Sequence, residues 1–173
     1  KSGQELEADI IVSATGLNMQ MLSGLESYVD GVPFKPGEHI LYKGTMFNDV
    51  PNLIMWFGYT NASWTLKADL TSEYACRVIN HLDATGNKIA VPRTKGKKIE
   101  LDSFVDFSSG YFTRAESQLP KQGKEFPWKL HQNYGKDIQL LRYGSLDDEA
   151  MCFEPPHKVE SAKERPALLE AAE

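Results

Sequence analysis

The sequence predicts an α/β fold, in which short buried strands lead into helices. Ile10, Ile11 and Val12 are consecutive β-branched residues, and such a run is typical of a strand buried on both faces of a parallel sheet. A second apolar run covers residues 53–57, and an amphipathic helix follows it after a glycine-containing turn. Strand, turn and helix in this order are the basic unit of an α/β protein.

The first predicted strand covers residues 6–16 and ends at Gly16. Residues 17–50 contain turn residues and prolines, which predict a loop-rich segment. Because the chain begins at Lys1 and enters directly onto a strand, we expect it to be a piece of a longer protein.

The clearest predicted helix follows the second strand. Asn61 or Ser63 can cap its start, and Gly86 supplies a stop. Cys76 is expected near the apolar face, as a small buried side chain. The apolar positions recur at four-residue spacing: Leu66, Leu70, Tyr74, Val78 and Leu82.

The second half of the chain has weaker patterns. Residues 87–117 read as short strands, and a helix with Pro127 in its first turn is expected to end at Gly144. Residues 154–173 are Pro-rich and charged, so we expect a poorly ordered tail. Aromatic side chains supply bulk to the short strands: Phe104, Phe107, Tyr111 and Phe112.

The composition argues against several classes of function. The 173 residues carry 19 Lys and Arg against 24 Asp and Glu, a net charge of −5, which disfavours nucleic-acid binding. The longest apolar run has five residues, too short for the ~20 of a transmembrane helix. The two cysteines lie 76 positions apart and the histidines lack ligand spacing, so no metal site is expected. We expect reduced thiols and a cytoplasmic protein.

The chain lacks a dinucleotide-binding fingerprint. Its 13 glycines are never closer than six positions apart, so no G-x-G motif exists. A Rossmann-type turn needs closely spaced glycines for the backbone to approach a pyrophosphate.

Two further patterns allow two interpretations each. The basic cluster from Lys88 to Lys98 is either a phosphate contact or, as we favour, a solvated loop. Trp56 and Trp64 either line a substrate pocket or pack in the core.

The junction between the second strand and the helix is the best candidate for a ligand site. Free N–H groups and the helix dipole favour negative charge at a helix start. Gly58 would let the backbone approach a flat ligand, and Asn61 and Ser63 offer hydrogen bonds. Most such junctions bind nothing, so a purely structural role stays open.

Three sequence blocks carry a family resemblance. They are ATG at residues 14–16, GYTNASWTLKADLTSEYACRVINHL at 58–82, and SGYFTRAESQLPKQGKEFPWKLHQNY at 109–134. Together they resemble the carboxy-terminal part of FAD-dependent monooxygenases, most closely the Baeyer–Villiger group. The resemblance covers nearly all of residues 5–154.

The resemblance implies a two-dinucleotide-binding-domain (FAD/NADPH) flavoprotein fold that is incomplete in this chain. It implies that residues 1–16 return from an NADPH-domain insertion to the FAD domain. Residues 17–86 would hold a strand and helix of the FAD domain. A carboxy-terminal extension over 87–153 would pack on that domain, before the tail at 154–173.

The resemblance also implies the site. Backbone N–H groups at the helix start would face the negative charge that a reduced flavin carries near N1 and the C2 carbonyl. No arginine of this chain is assigned to the reaction, and the catalytic residues stay unknown. The cofactor-binding residues implied are Thr15, Gly16, Gly58, Tyr59, Asn61, Ala62, Ser63 and Trp64.

The implied activity is monooxygenation with FAD and NADPH as cofactors. NADPH would reduce the flavin, and a flavin peroxide formed with O₂ would oxidise a small-molecule ketone, or a sulfur or nitrogen atom. Two alternatives stay open: a non-catalytic binding module derived from a flavoprotein, and a related flavoprotein oxidoreductase without oxygen transfer.

We expect the coding sequence upstream of Lys1 to contain a strand followed by G-x-G-x-x-G, because the FAD and NADPH fingerprints are missing here. Sequencing the upstream region checks this. A coding sequence that starts at Lys1 with no such segment would contradict the resemblance to part of a longer enzyme.

Overall fold

The computed structural model of the chain describes residues 2–104 and 110–156. Its longest element is helix α1, Trp64–Thr85. Helix α2 is Gly110–Ala115, and helix α3, Tyr134–Asp137, continues into a π-helix at Ile138–Tyr143. Short 3₁₀ turns lie at Met21–Gly24 and Pro36–Glu38. The strands are β1 Tyr28–Val29, β2 Val32–Pro33, β3 Leu41–Tyr42, β4 Met46–Phe47, β5 Ile89–Pro92, β6 Leu101–Asp102, β7 Gln122–Gly123 and β8 Met151–Glu154.

The described strands form four antiparallel pairs. β1 with β2 and β3 with β4 are local hairpins, and β6 pairs with β7. The longest ladder joins β5 to β8, with Ile89 opposite Glu154 and Pro92 opposite Met151. This ladder ties the segment after α1 to the last described residues.

Helix α1 confirms the predicted helix and its end. Its buried face includes Leu70, Tyr74 and Val78, in the predicted four-residue register. Gly86 ends the helix with a φ of 73°, a left-handed conformation that glycine adopts without strain. Ser63 occupies the position before the first helical residue.

Two apolar clusters form the core. The first packs α1 against β5, β8 and the π-helix. Its buried members are Tyr42, Met46, Leu70, Tyr74, Val78, Ala90, Trp128, Leu141, Ala150 and Met151. The second lies around the β3–β4 hairpin and α2. Its buried members are Phe34, Leu41, Phe47, Val50, Phe104, Ala115, Leu119 and Leu130.

The prediction of a buried strand at residues 10–12 is wrong for the described structure. Ile10, Ile11 and Val12 are 82%, 86% and 85% exposed, and no strand is assigned to them. A β-branched run forms a buried strand only where neighbouring chain covers both of its faces, and the described residues do not cover this run.

The prediction of a buried strand at residues 53–57 is also wrong. Residues 53–57 form an isolated bridge between Ile54 and Met46, and the Met55 N–H donates to the Thr45 carbonyl at 2.7 Å. The side chain of Ile54 packs on the first cluster, whereas Phe57 packs on the second. The run is therefore extended chain between two cores.

The second predicted helix starts later than expected. Pro127 follows a cis peptide bond outside any helix, and its carbonyl accepts from the Lys43 N–H at 2.8 Å. The helix begins at Tyr134, because the Asn133 side chain accepts from the Lys136 N–H at 2.9 Å and caps it.

Three smaller predictions also differ from the structure. Residues 110–115 are helical, and Glu154 lies in β8, so the predicted tail starts too early. Cys76 is exposed. It lies two residues after buried Tyr74, which is about 200° around a helix of 3.6 residues per turn. Phe107 and the tail from residue 157 lie outside the described residues.

Within the described ranges, no helix combines the length and apolar character needed to cross a bilayer.

A buried cation links the β3–β4 hairpin to the last loop. Lys43 Nζ lies 2.8 Å from Asp148 Oδ2, and the Tyr42 hydroxyl donates to the same oxygen at 2.6 Å. Burial would raise the pKa of Asp148, but hydrogen bonds from Lys43, Tyr42 and the Met151 N–H hold it below its ordinary value. Burial lowers the pKa of Lys43 although Asp148 opposes the shift.

Asp148 is expected to make stability depend on acid pH. Its folded pKa lies below the ordinary 3.8, so its stabilising effect is present above that pH and is lost as pH falls through the folded pKa. We expect the free energy of unfolding to fall over this window, and to fall less in Asp148→Asn. Urea unfolding at several acid pH values measures this, with exposed Asp147→Asn as control. An unchanged pH slope in Asp148→Asn would contradict the assignment.

Burial predicts opposite outcomes for two similar truncations. Leu70 is 0% exposed and Ile11 is 86% exposed. We expect Leu70→Ala to lower the free energy of unfolding by about 2–5 kcal/mol. Ile11→Ala should change it by at most about 0.5 kcal/mol, while improving the poor solubility that an exposed apolar run predicts. Equal losses in denaturant unfolding would show that residues 10–12 are buried.

Candidate functional site at the start of helix α1

The segment that enters α1 changes from buried to exposed within a few residues. Gly58 and Tyr59 are buried, whereas residues 60–66 are exposed. The predicted site residues of this block therefore divide into an inner anchor and an outer surface.

The inner anchor is a buried hydrogen-bonded ion pair. The Tyr59 hydroxyl donates to Asp137 Oδ2 at 2.7 Å, and Lys67 Nζ lies 2.9 Å from the same oxygen. The side chains of Lys67 and Asp137 are only 2% and 1% exposed. Asp137 Oδ1 is buried and has no hydrogen-bond partner among the described residues.

The buried environment of Asp137 shifts the pKa values of the groups that donate to it. Burial, followed by the hydrogen bond to Asp137, raises the pKa of Tyr59, so its hydroxyl stays a donor. Burial lowers the pKa of Lys67, and the charge of Asp137 counteracts this shift. Burial likewise lowers the pKa of the neighbouring His131.

A second set of contacts holds the outer part of the segment. The Thr60 N–H donates to Gln132 Oε1 at 2.9 Å, and Asn61 Nδ2 donates to the Gln132 carbonyl at 3.1 Å. Asn61 therefore does not cap α1. Its side chain ties the loop to the segment before α3.

The first turn of α1 is free of side-chain caps. The Ser63 hydroxyl lies 2.7 Å from Thr65 Oγ1, and in the described part of the chain no side chain accepts a cap hydrogen bond at this helix start. The predicted capping hydrogen bond is therefore wrong, although Ser63 holds the cap position. Residues 64–67 contain no carboxylate, so no acidic side chain of this turn offsets the positive potential of the free N–H groups of residues 64–66.

Aromatic side chains flank this helix start. Trp64 is 60% exposed, and its ring centroid lies 5.3 Å from that of Phe57. A Cβ at Gly58 would overlap the Trp64 indole, so Gly58 is required for this packing. Trp56 is 50% exposed and donates from Nε1 to Ser72 Oγ at 3.0 Å. Neither tryptophan is a core residue.

The other predicted site residues lie elsewhere. Thr15 and Gly16 are exposed, and the nearest atom to a Cβ at Gly16 would be Arg114 Nη2, at 3.8 Å. Arg114 also donates to the Leu17 carbonyl at 3.0 Å. Among the described residues, no hydrogen bond joins Thr15 or Gly16 to the block at 58–64.

The charged residues left unassigned by the sequence have structural partners. Arg77 donates to the carbonyls of Leu141 and Gly144, and Arg142 to Glu73. The ion pairs of the basic cluster favour the solvated-loop interpretation: Lys88–Asp83, Arg93–Glu154 and Lys97–Glu149. In the described ranges, no group of three His, Cys, Asp or Glu side chains is arranged to hold a metal.

The sequence patterns did not single out Lys67, Gln132 or Asp137. Lys67 carried one usable signal, because it lies three residues before Leu70 on the apolar face of α1. Asp137 is 70 positions from Lys67, and nothing in the local pattern links the two.

The chain matches curated proteins over most of its length. It is 48% identical over 152 residues to "FAD-containing monooxygenase EthA" of Mycolicibacterium smegmatis, covering 88% of this chain and 31% of that protein. It is 47% identical over 152 residues to EthA of Mycobacterium tuberculosis, with the same coverage. "Probable FAD-binding monooxygenase AlmA" of an Acinetobacter species is 43% identical over 172 residues, covering 98% of this chain and 34% of AlmA.

No protein-family model matches the chain, and no solved structure matches it. The chain spans about a third of the length of the curated relatives, 31% for EthA and 34% for AlmA. The resemblance predicted from the three sequence blocks is confirmed by these relatives. The chain is therefore homologous to a segment, about a third in length, of the FAD-containing monooxygenases.

Proposed function

We propose that the chain is the carboxy-terminal part of an NADPH- and FAD-dependent monooxygenase of Baeyer–Villiger type. In this proposal the exposed start of α1 adjoins the flavin. The observation that carries it is the uncapped, carboxylate-free first turn of α1, in a chain similar to proteins named as FAD-containing monooxygenases.

The residues at this helix start fit an electron-rich, flat group. The N–H groups of residues 64–66 are donors without a side-chain acceptor in the described structure, and Trp64 offers an exposed ring beside them. When bound, FAD would supply the redox chemistry. The chain's own residues would hold and orient the ring, and α1 would stabilise negative charge there.

In this proposal the remaining predicted residues hold the segment in place or contact the cofactor. Tyr59 holds the segment through its hydrogen bond to buried Asp137, and Asn61, Ala62 and Ser63 form the exposed loop. Thr15 and Gly16 would reach the cofactor from the first segment of the chain, where Gly16 lies beside Arg114 of α2.

The domain arrangement is part of the same proposal. Residues 1–16 would return from an NADPH-domain insertion, 17–86 would belong to the FAD domain, and 87–153 would be an extension packed on it. The exposed side chains of Ile10, Ile11 and Val12 support this, because a longer protein would cover them.

The proposed reaction consumes NADPH, a proton and O₂. One oxygen atom enters a ketone to give an ester, or adds to a sulfur or nitrogen atom, and the other leaves as water. The catalytic residues would lie outside this chain. We propose the reducing cytoplasm as the compartment, because Cys76 and Cys152 are both free thiols.

The full-length protein is expected to bind FAD stoichiometrically and to oxidise a cyclic ketone with NADPH and O₂. Flavin absorbance of the purified protein and product analysis measure the two properties separately. A colourless protein with an intact fold would favour a non-catalytic binding module. A yellow protein that oxidises NADPH without forming an ester or an S- or N-oxide would favour an oxidoreductase without oxygen transfer.

Gly58→Ala in the full-length protein is expected to weaken FAD binding roughly tenfold, because the new Cβ displaces the Trp64 indole from the helix start. FAD titration of the apoprotein measures this. Gly96→Ala is the control, because Gly96 has a φ of 74° and no atom within 4 Å of a Cβ. The control should cost about 1–2 kcal/mol of stability through backbone strain, with FAD affinity unchanged. Equal affinities in the two variants would contradict the placement of flavin beside Trp64.

A further inference from the structure

We propose that Asp137 and Gln132 are positioning residues for the flavin-facing segment, an inference that rests on the proposed function. Asp137 is buried and Gln132 is half-buried, so neither side chain belongs to the exposed surface at the start of α1. They act through Tyr59, Thr60, Asn61 and Lys67, which belong to that segment or to the first turn of α1.

The contacts from Gln132 and Asp137 converge on three consecutive residues. Asp137 accepts from Tyr59, and Gln132 accepts from the Thr60 N–H and, through its carbonyl, from Asn61. The Tyr59 ring also packs edge-on against Tyr134, with centroids 6.4 Å apart. The backbone entering α1 is thus fixed at successive residues by a single neighbouring segment.

Asp137 joins this loop to the helix. Lys67 is the fourth residue of α1, and its ammonium shares Asp137 Oδ2 with the Tyr59 hydroxyl. One buried oxygen therefore sets the position of the loop relative to the N–H groups of the first turn. Because the pair is almost fully buried, loss of the carboxylate leaves the Lys67 charge without compensation.

The chain contains a matched control for this arrangement. Asp148 also binds a buried lysine and a tyrosine, Lys43 and Tyr42, through one oxygen. It lies against the β3–β4 hairpin and, within the described part of the chain, makes no hydrogen bond or ion pair to residues 58–67. Asp148→Asn and Asp137→Asn should therefore destabilise the fold by the same mechanism, at different places.

The experiment uses the full-length protein with FAD and measures FAD affinity, the flavin midpoint potential and the thermal midpoint. We expect both aspartate variants to lower the thermal midpoint. Only Asp137→Asn should weaken FAD binding, roughly tenfold, and make the potential more negative. The potential shifts because the N–H groups of α1 are no longer held toward the negative charge of the reduced flavin.

Gln132→Ala provides a second variant that leaves the buried ion pair intact. Gln132 is half-buried, so its truncation should leave the thermal midpoint nearly unchanged. We expect FAD affinity to fall severalfold, because the Thr60 N–H loses its acceptor. This variant decides the question if Asp137→Asn does not fold.

The outcomes separate the two proposals. Folded Asp137→Asn and Gln132→Ala proteins with wild-type FAD affinity and potential would overturn the positioning role. Equal flavin effects in Asp137→Asn and Asp148→Asn would also overturn it, since they would show a general effect of stability. A wild-type full-length protein that binds no FAD would instead overturn the proposed function.

Discussion

The packing of α1 is the constraint on which the rest of the described structure depends. Its buried face carries Leu70, Tyr74 and Val78 at the centre of the larger core, between the β5–β8 ladder and the π-helix. The Arg77 side chain of α1 donates to the carbonyls of Leu141 and Gly144, at the end of the π-helix. The same helix therefore supports the core along its length and presents a free amino end to solvent.

Buried charge gives this packing its specificity. Lys67 and Lys43 bring cations into the interior, and each is compensated by one carboxylate, which also accepts a hydrogen bond from a tyrosine hydroxyl. Such a pair adds little net stability relative to an apolar core, but breaking it costs about 3–5 kcal/mol. We therefore expect the two pairs to favour the one arrangement of loops around α1 in which both stay intact.

The sequence predicted α1 well because its signals are local: a four-residue apolar repeat and Gly86 at the end. It did not predict the fate of Ile11, since β-propensity says nothing about whether neighbouring chain is present to cover a strand. The sequence singled out Gly58 and Trp64 as candidates, but it did not predict that they pack against each other. Asp137 was missed because its partners lie in distant segments, and the family resemblance implied cofactor-binding residues only at 15–16 and within 58–64.

The ladder between β5 and β8 has a consequence for synthesis of the chain. Its strands, residues 89–92 and 151–154, are far apart in sequence, and Tyr59 is 78 positions from Asp137. The ladder can form only after residues 151–154 have left the ribosome, and the contact of Tyr59 only after Asp137 has left it. Until then the apolar face of α1 lacks the residues of β8 and the π-helix that pack on it in the folded chain. Exposed apolar surface of this kind favours chaperone binding during translation. The loop that enters α1 therefore lacks its contact with Asp137 until that residue has been translated.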